Sequence, residues 1–283
     1  MLGFKGDNKV MSARTVFFIS DGTAITAEQL GRSILSQFSG VKFETRVLPY
    51  IDSEERAQTA VAIINDASEK DGAPAFVFDT LVSPQLREII NSANACNLDM
   101  YEGLISRISH ELGMPPDPHK GFAHDAVDSE TYKSRIDAVH YALDNDDGAR
   151  TRHYDKADII LLGVSRSGKT PTSIYLALRF GIRAANYPIT EEDVEFGGLP
   201  KVLKEHKGRL FGLMIDVDRL VAIRTERKAG TRYASRAQCE RELAAIQDMY
   251  RMNGIPSLDV SEMSIEEIAT RILQITGMKR RIG

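Results

Sequence analysis

Long apolar runs are missing from this 283-residue chain. No stretch approaches the ~18 residues a helix needs to cross a bilayer, which argues against a membrane-spanning segment. Cysteine is scarce as well: the chain has two, Cys96 and Cys239, far apart and without CxxC or metal-type spacing. Both fall in stretches patterned as helix, so they are expected to be reduced, partly buried thiols of a cytoplasmic protein. Nor is there an excess of one charge: 36 Lys and Arg stand against 40 Asp and Glu, a net charge of −4. Bulk electrostatics therefore gives no reason to expect nucleic acid or an anionic membrane as a partner. Met1–Val10 mixes Gly, Lys and Asp without the apolar core of a signal peptide, and Met11 offers an alternative start that would leave those residues outside the fold. No internal repeat or low-complexity tract is evident.

What is present is a phosphate-binding loop. Residues Gly163-Val164-Ser165-Arg166-Ser167-Gly168-Lys169-Thr170 are a complete GxxxxGK[ST] pattern, directly behind the apolar run Ile159-Ile160-Leu161-Leu162. Two glycines let the backbone turn tightly enough for successive N–H groups to face one anion; Lys169 reaches the outer phosphates and the Thr170 hydroxyl can hold Mg²⁺. Ala157–Leu162 shows no alternation, as expected of a parallel strand buried on both faces. Behind the loop, Ile174, Ala177, Leu178 and Gly181 recur at helical spacing, with Gly181 as the stop and Pro171 tolerable in the first turn.

The rest of the chain alternates strand and helix signals, which predicts an α/β protein. An N-terminal α/β domain over 11–150 is expected to precede a P-loop kinase-like domain with a mainly parallel sheet over 151–283. In the first, strands are read at Thr15–Ile19, Phe43–Val47 and Ala75–Phe78. Helices are read at Ala27–Phe38, with Leu30, Ile34, Leu35 and Phe38 on one face, at Ser53–Ala67, from Ser83-Pro84 to about Ala95, at Met100–Leu112 and at Ser129–Leu143. Gly113–Asp128 reads as a long loop; its His119 and His124 match no standard metal-ligand spacing. Asn145–Asp155 is the candidate linker. In the second half, strands are expected at Ile182–Pro188, Arg209–Ile215 and Ile255–Val260, and helices at Val217–Arg227, Ser235–Asn253 and Ser264–Thr276.

Phosphoryl transfer needs anchored phosphates, a metal, cations where charge accumulates and a group that orients the nucleophile. Asp216 ends the apolar run Leu210–Ile215, the position of a second metal contact; it would equally serve as cap of the following helix. Asp218 is a weaker version of the same idea. Arg219, Arg224, Arg227 and Arg232 follow, and Arg224 and Arg227 are spaced to share a helical face, as phosphate ligands or as a solvated basic face. Arg166 projects from the loop itself, where it favours anion binding. Ser20-Asp21-Gly22-Thr23, between a strand and a helix N-terminus, is either a ligand-facing turn of the kind open α/β sheets use or an N-capping turn.

Several stretches together carry a family resemblance: Ile160–Pro188, with LLGVSRSGKTPTSIYLALRFGIRAANYP at its centre, VFFISDGTAITAE from Val16, the DDG at Asp146–Gly148, LFGLMID and DRLVAIRTER between Leu210 and Arg227, RYAS at Arg232–Ser235, and the terminal SIEEIATRIL. The chain resembles the bacterial phosphoenolpyruvate synthetase regulatory proteins, within the pyruvate, phosphate dikinase regulatory protein family, over nearly its whole length after Met11. The resemblance implies a bifunctional enzyme. It would use ADP to phosphorylate and inactivate a threonine of its target, and inorganic phosphate to remove the group as pyrophosphate. The family's nucleotide-binding motif carries over onto Gly163 through Thr170. The implied target is phosphoenolpyruvate synthetase in preference to pyruvate, phosphate dikinase. On physical grounds Lys169, Arg166 and Mg²⁺ on Thr170 would neutralise the group transferred in such reactions, and an acidic residue, with Asp216 the candidate, would orient the threonine. A homodimer is compatible with this reading. The competing readings are an ATP-dependent kinase of a small metabolite and an ADP-sensing adaptor without chemistry.

Overall fold

The computed structural model describes residues 13–116, 129–148, 150–196 and 198–281. The chain divides into two compact units, residues 1–125 and 126–283. In the first, β1 (Arg14–Ile19), α1 (Ile25–Leu35), β2 (Phe43–Leu48), α2 (Glu54–Asp71), β3 (Ala75–Asp79), α3 (Pro84–Asn91), β4 (Ala95–Asp99) and α4 (Glu102–Leu112) follow one another. The strands form one parallel sheet in the order β2-β1-β3-β4, with Val16 of β1 paired to Thr45 and to Phe76. Phe17, Ile19 and Val77 point to one face, where Ile64 of α2 and Ile90 of α3 cover them. Val16, Phe18 and Phe78 point to the other, under Ala27 of α1.

Two expectations fail in this unit. Of the apolar face foreseen on α1 only Leu35 packs on the sheet: Leu30, Ile34 and Phe38 are exposed, while Ala27 and Gly31 are buried. The Phe18 and Phe78 rings already fill the space beneath the helix, so only small residues fit there. A Cβ at Gly31 would lie 2.4 Å from a Phe18 ring carbon. The helix expected to run to Ala95 stops at Asn91, and the chain turns into β4, which places Cys96 on a strand with its side chain exposed, while Cys239 is buried in a helix. Ala-Cys-Asn-Leu-Asp has no β-branched residue to announce an edge strand.

In the second unit, α5 (Ser129–Asp144) leads through two short 3₁₀ turns into β5 (Ile159–Gly163) and α6 (Lys169–Phe180). There follow β6 (Ala184–Pro188), α7 (Glu191–Phe196), α8 (Lys201–Lys204), β7 (Leu210–Met214), α9 (Val217–Arg227), α10 (Arg236–Asn253), β8 (Ser257–Asp259) and α11 (Ile265–Thr276). This sheet is also parallel, in the order β6-β5-β7-β8, so both units place their strands in the same succession although no repeat is visible in the sequence. Residues Ile160, Leu162, Phe211 and Leu213 form its core with Ile246 of α10 and Ile272 of α11. Expected to close the first half, α5 instead packs on α6 through Ala138, Ala142 and Ala177. The stretch foreseen as a linker belongs to this unit too, with Tyr154 fully buried and its hydroxyl donating to the Asn186 carbonyl. On α6 the buried face is Ser173, Leu176, Ala177 and Phe180, and Leu178 is exposed. Among the described residues, no helix is long and apolar enough to cross a membrane.

Candidate active site at the phosphate loop

The loop leaves the C-terminal end of β5 and enters α6 at Lys169. Arg166 and Gly168 take left-handed backbone conformations, with φ of 79° and 85°. For Gly168 that costs nothing; for Arg166 it stores roughly 1–2 kcal/mol, a strain typical of ligand-binding turns. Gly163 is required by space, since a Cβ there would lie 2.5 Å from Ser167 Oγ and 3.0 Å from the Leu213 carbonyl of β7. Ser167 is fully buried inside the loop and its hydroxyl has no partner.

Lys169 folds inward. Its ammonium donates to the carbonyls of Gly163 (3.0 Å) and Val164 (2.9 Å). Burial pushes its pKa down to about 8, while the nearby charges of Asp147 and Asp146 act in the opposite sense. Thr170 donates its hydroxyl to Asp146 Oδ1 at 2.8 Å, and Asn186 of β6 also donates to that carboxylate oxygen. The Asp147 N–H in turn donates to Asn186 Oδ1 at 2.8 Å. Asp147 and Gly148 both have positive φ, 48° and 70°, so the DDG turns sharply at the end of α5 and hangs on β6 beside the loop. As candidate site residues, Asp146, Asp147 and Asn186 escape the sequence reading, where Asp146-Asp147-Gly148 figures as a helix stop and a shared motif. The signal that could have found them is two adjacent carboxylates before a glycine, a poor use of acid at a helix C-terminus, where the dipole disfavours it.

Arg224 is where expectation and structure part most sharply. It is the largest fully buried side chain in the described residues, whereas Arg227, three positions on, is exposed, so the two do not act as a pair. The Arg224 guanidinium donates to Glu242 Oε2 (2.7 Å), to the Tyr233 carbonyl (3.0 Å) and to the Ser165 carbonyl of the loop (3.3 Å), and it stacks 4.2 Å from the Tyr233 ring centroid. Tyr233 closes the circuit with a hydroxyl 3.0 Å from Ser165 Oγ. Its Nη donors are spent on protein and the one donor without a partner, Nε–H, is buried, so Arg224 holds the loop in shape from behind. Arg166 is exposed at the loop tip.

Asp216 caps α9, accepting from the N–H groups of Asp218 (2.8 Å) and Arg219 (3.2 Å), and the carboxylate bonded to Thr170 is Asp146. Asp218 pairs with Arg236, Arg219 with Glu262, and Arg232 with Glu191, all near the surface. In the first unit, the Ser20–Thr23 turn does not cap α1. Ala24 holds that position with a left-handed φ of 61° and no side-chain bond, and the Ser20 and Asp21 side chains instead receive the N–H groups of Gly22 and Val82. His119 and His124 lie outside the described residues. No group of three or more His, Cys, Asp or Glu able to hold a metal occurs among the described residues. A Mg²⁺ here would thus share the Thr170 and Asp146 oxygens with the phosphates themselves, the usual arrangement for that ion.

Parallel sheet, loop and buried lysine define a P-loop kinase-like α/β protein. A family model described as Kinase/pyrophosphorylase matches residues 16–273, and the chain belongs to that family. It is 70% identical to a protein of Psychrobacter cryohalolentis and equally to one of Psychrobacter arcticus, over 283 residues and the full length of both chains. It is 66% identical to one of Acinetobacter baylyi over 270 residues, 95% of this chain and 97% of the relative. All three relatives carry the name "Putative phosphoenolpyruvate synthase regulatory protein".

Proposed function

We propose that this chain regulates phosphoenolpyruvate synthase by two opposed phosphoryl transfers at one threonine. In the first, the threonine hydroxyl attacks the β-phosphorus of ADP; the bond to the bridging oxygen breaks, AMP leaves, and the hydroxyl proton passes to a carboxylate. In the second, an oxygen of inorganic phosphate attacks the phosphothreonine, and pyrophosphate departs as the threonine regains its proton. Both reactions need one anion cradle and one nearby acid–base group. The observation that carries the reading is the juxtaposition of Lys169 with the Asp146–Asp147 pair at a phosphate-binding loop, in a chain of the Kinase/pyrophosphorylase family.

The loop N–H groups and Lys169 bind and orient the phosphates, and Arg166 at the tip adds charge on the solvent side. Bound Mg²⁺, held by Thr170 and Asp146, would neutralise charge on the transferred group. Asp147, beside the loop and not committed to a helix cap, takes the role of orienting the threonine that the sequence assigned to Asp216. The test mixes the protein with phosphoenolpyruvate synthase and ADP, then with phosphate, following phosphothreonine by mass spectrometry together with AMP and pyrophosphate release. Lys169→Ala should abolish both directions. A synthase that stays unmodified with ADP, or a protein that turns over ATP with a small free acceptor, overturns the proposal.

A further inference from the structure

Asn186 sits at the centre of the edge strand β6 and is fully buried. A buried amide is kept where its groups find partners, and the side-chain partners of this one belong to the site. Its Nδ2 donates to Asp146 Oδ1 and, at 3.5 Å, to Thr170 Oγ1; its Oδ1 accepts the Asp147 N–H at 2.8 Å. The main chain of Asn186 is tied to the same stretch. Its N–H donates to the Asn145 carbonyl (3.2 Å), and its carbonyl accepts from the Tyr154 hydroxyl (3.0 Å). These partners also fix which way the amide points, since a backbone N–H can only donate and an ionised carboxylate can only accept.

The two acids are thus held from beneath. Asp147 is exposed and Asp146 only partly buried. They belong to a turn with left-handed φ at Asp147 (48°) and Gly148 (70°), and a residue other than glycine keeps that conformation only where its surroundings impose it. A primary amide suits the task because it offers a donor and an acceptor at the same reach. An aspartate at 186 would set a second carboxylate against Asp146; a leucine of similar size would leave the Asp147 N–H without its acceptor. We propose that Asn186 is a positioning residue for the phosphoryl transfers. One buried amide holds Asp146 on Thr170 and Asp147 beside the phosphate loop, so β6 sets where the acids stand relative to the transferred group. This role rests on the function proposed above. Misplacing an orienting group by about 1 Å costs about 100-fold in rate. The phosphates, by contrast, are gripped by the loop N–H groups and by Lys169, whose ammonium is anchored on the loop's own Gly163 and Val164 carbonyls. Loss of the amide should therefore spare binding and remove rate.

The test compares Asn186→Ala with Tyr154→Phe, which removes a hydrogen bond from the main-chain carbonyl of the same residue and leaves the amide alone. Asn186→Ser stands beside them as the milder change, its single oxygen lying too close to the main chain to serve both acids. In the ligand-free full chain, deuterium exchange read by mass spectrometry should quicken about tenfold or more at residues 145–148 in both Asn186 variants, with protection kept in β5 and β7. Single turnovers with the synthase should slow about 100-fold in both directions, while the Kd for ADP stays within about threefold. Tyr154→Phe should keep its rate within about twofold even if its melting temperature falls as far. The proposal is overturned by a rate that survives in both Asn186 variants, by a rate lost with the turn still protected, by equal losses of rate and ADP affinity, or by a Tyr154→Phe protein as slow as Asn186→Ala. A wild-type protein that leaves the synthase unmodified sinks the proposed function as well; a wild type and Asn186 variants that turn over alike remove the positioning role alone.

Discussion

Protonation of Lys169 should govern how tightly the loop holds phosphate. The side chain is 4% exposed, and burial brings its pKa from 10.5 down to about 8, a displacement worth about 3 kcal/mol between the charged and neutral forms. Above about pH 8 a ligand that needs the ammonium must first restore its proton. Affinity for ADP should therefore drop roughly tenfold for each pH unit between about 8.5 and 9.5, with uptake of close to one proton per ligand bound. Stability of the ligand-free protein should move the other way. The folded pKa lies below the unfolded one, so the unfolded chain binds more protons over this window and stability rises with pH, by about 2 kcal/mol between pH 8 and 9.5. The window closes near pH 10, because burial raises the pKa values of Tyr141, Tyr154 and Tyr250; as the unfolded tyrosines ionise, stability falls again. Titration calorimetry in two buffers of different ionisation heat reads the proton uptake, and urea denaturation across the same pH values reads the stability. Lys169→Arg keeps its charge throughout and should lose the pH dependence of both. An affinity flat from about pH 7.5 to 9.5, with no proton uptake, would refute the assignment of this lysine as the buried cation of the site.

Three other perturbations separate the roles of neighbouring residues. Arg224→Met leaves the partly buried Glu242 with Gln238 as its donor and should cost about 3 kcal/mol in urea denaturation; adding Glu242→Gln should recover much of that stability, while ADP binding stays weak because the Ser165 carbonyl has lost its donor. Asp146→Asn keeps an acceptor for the Thr170 hydroxyl and should leave the melting temperature nearly unchanged, yet slow both phosphoryl transfers by about 100-fold or more by weakening the hold on Mg²⁺, measured in single turnover with the synthase. Gly212→Ala places a methyl 2.3 Å from a Tyr250 ring carbon and should destabilise by about 1–3 kcal/mol, readable as a lower urea midpoint with an unchanged slope.

Legibility in the sequence follows the range of the interaction that fixes each feature. Strand β5, the loop and α6 are local: an unbroken apolar run, two glycines at set spacing and Gly181 as terminator, which takes the left-handed φ of 67° such a stop requires. Capped helices are local too, and α11 carries the complete reciprocal box between Ser264 and Glu267. What failed depends on partners distant in the chain. The buried face of α1 is set by two phenylalanines on the sheet below it, and the edge strand β4 exists because β3 is there to pair with.

The same distinction explains why the arginines misled and the acids were overlooked. Spacing along α9 says that Arg224 and Arg227 lie three apart; it cannot say that α10 delivers Glu242 and the RYAS turn delivers Tyr233 to one of them only. Once those partners are in place, both Arg224 Nη groups are engaged and the remaining Nε–H is buried, so its effect on a ligand would pass through the shape of the loop at Ser165. Asp146 shows the converse. Its neighbours in sequence are a helix end and a glycine, but β6 brings Asn186, and α6 brings Thr170, onto a single oxygen. Charge at the site is therefore assigned by what remains unpaired after the core has formed: Lys169, drawn inward onto carbonyls that a phosphate can outcompete, and the Asp146–Asp147 pair facing it. Net cation count near a phosphate loop is a poor guide to its chemistry, because a buried guanidinium and an exposed one enter the count equally and do different things.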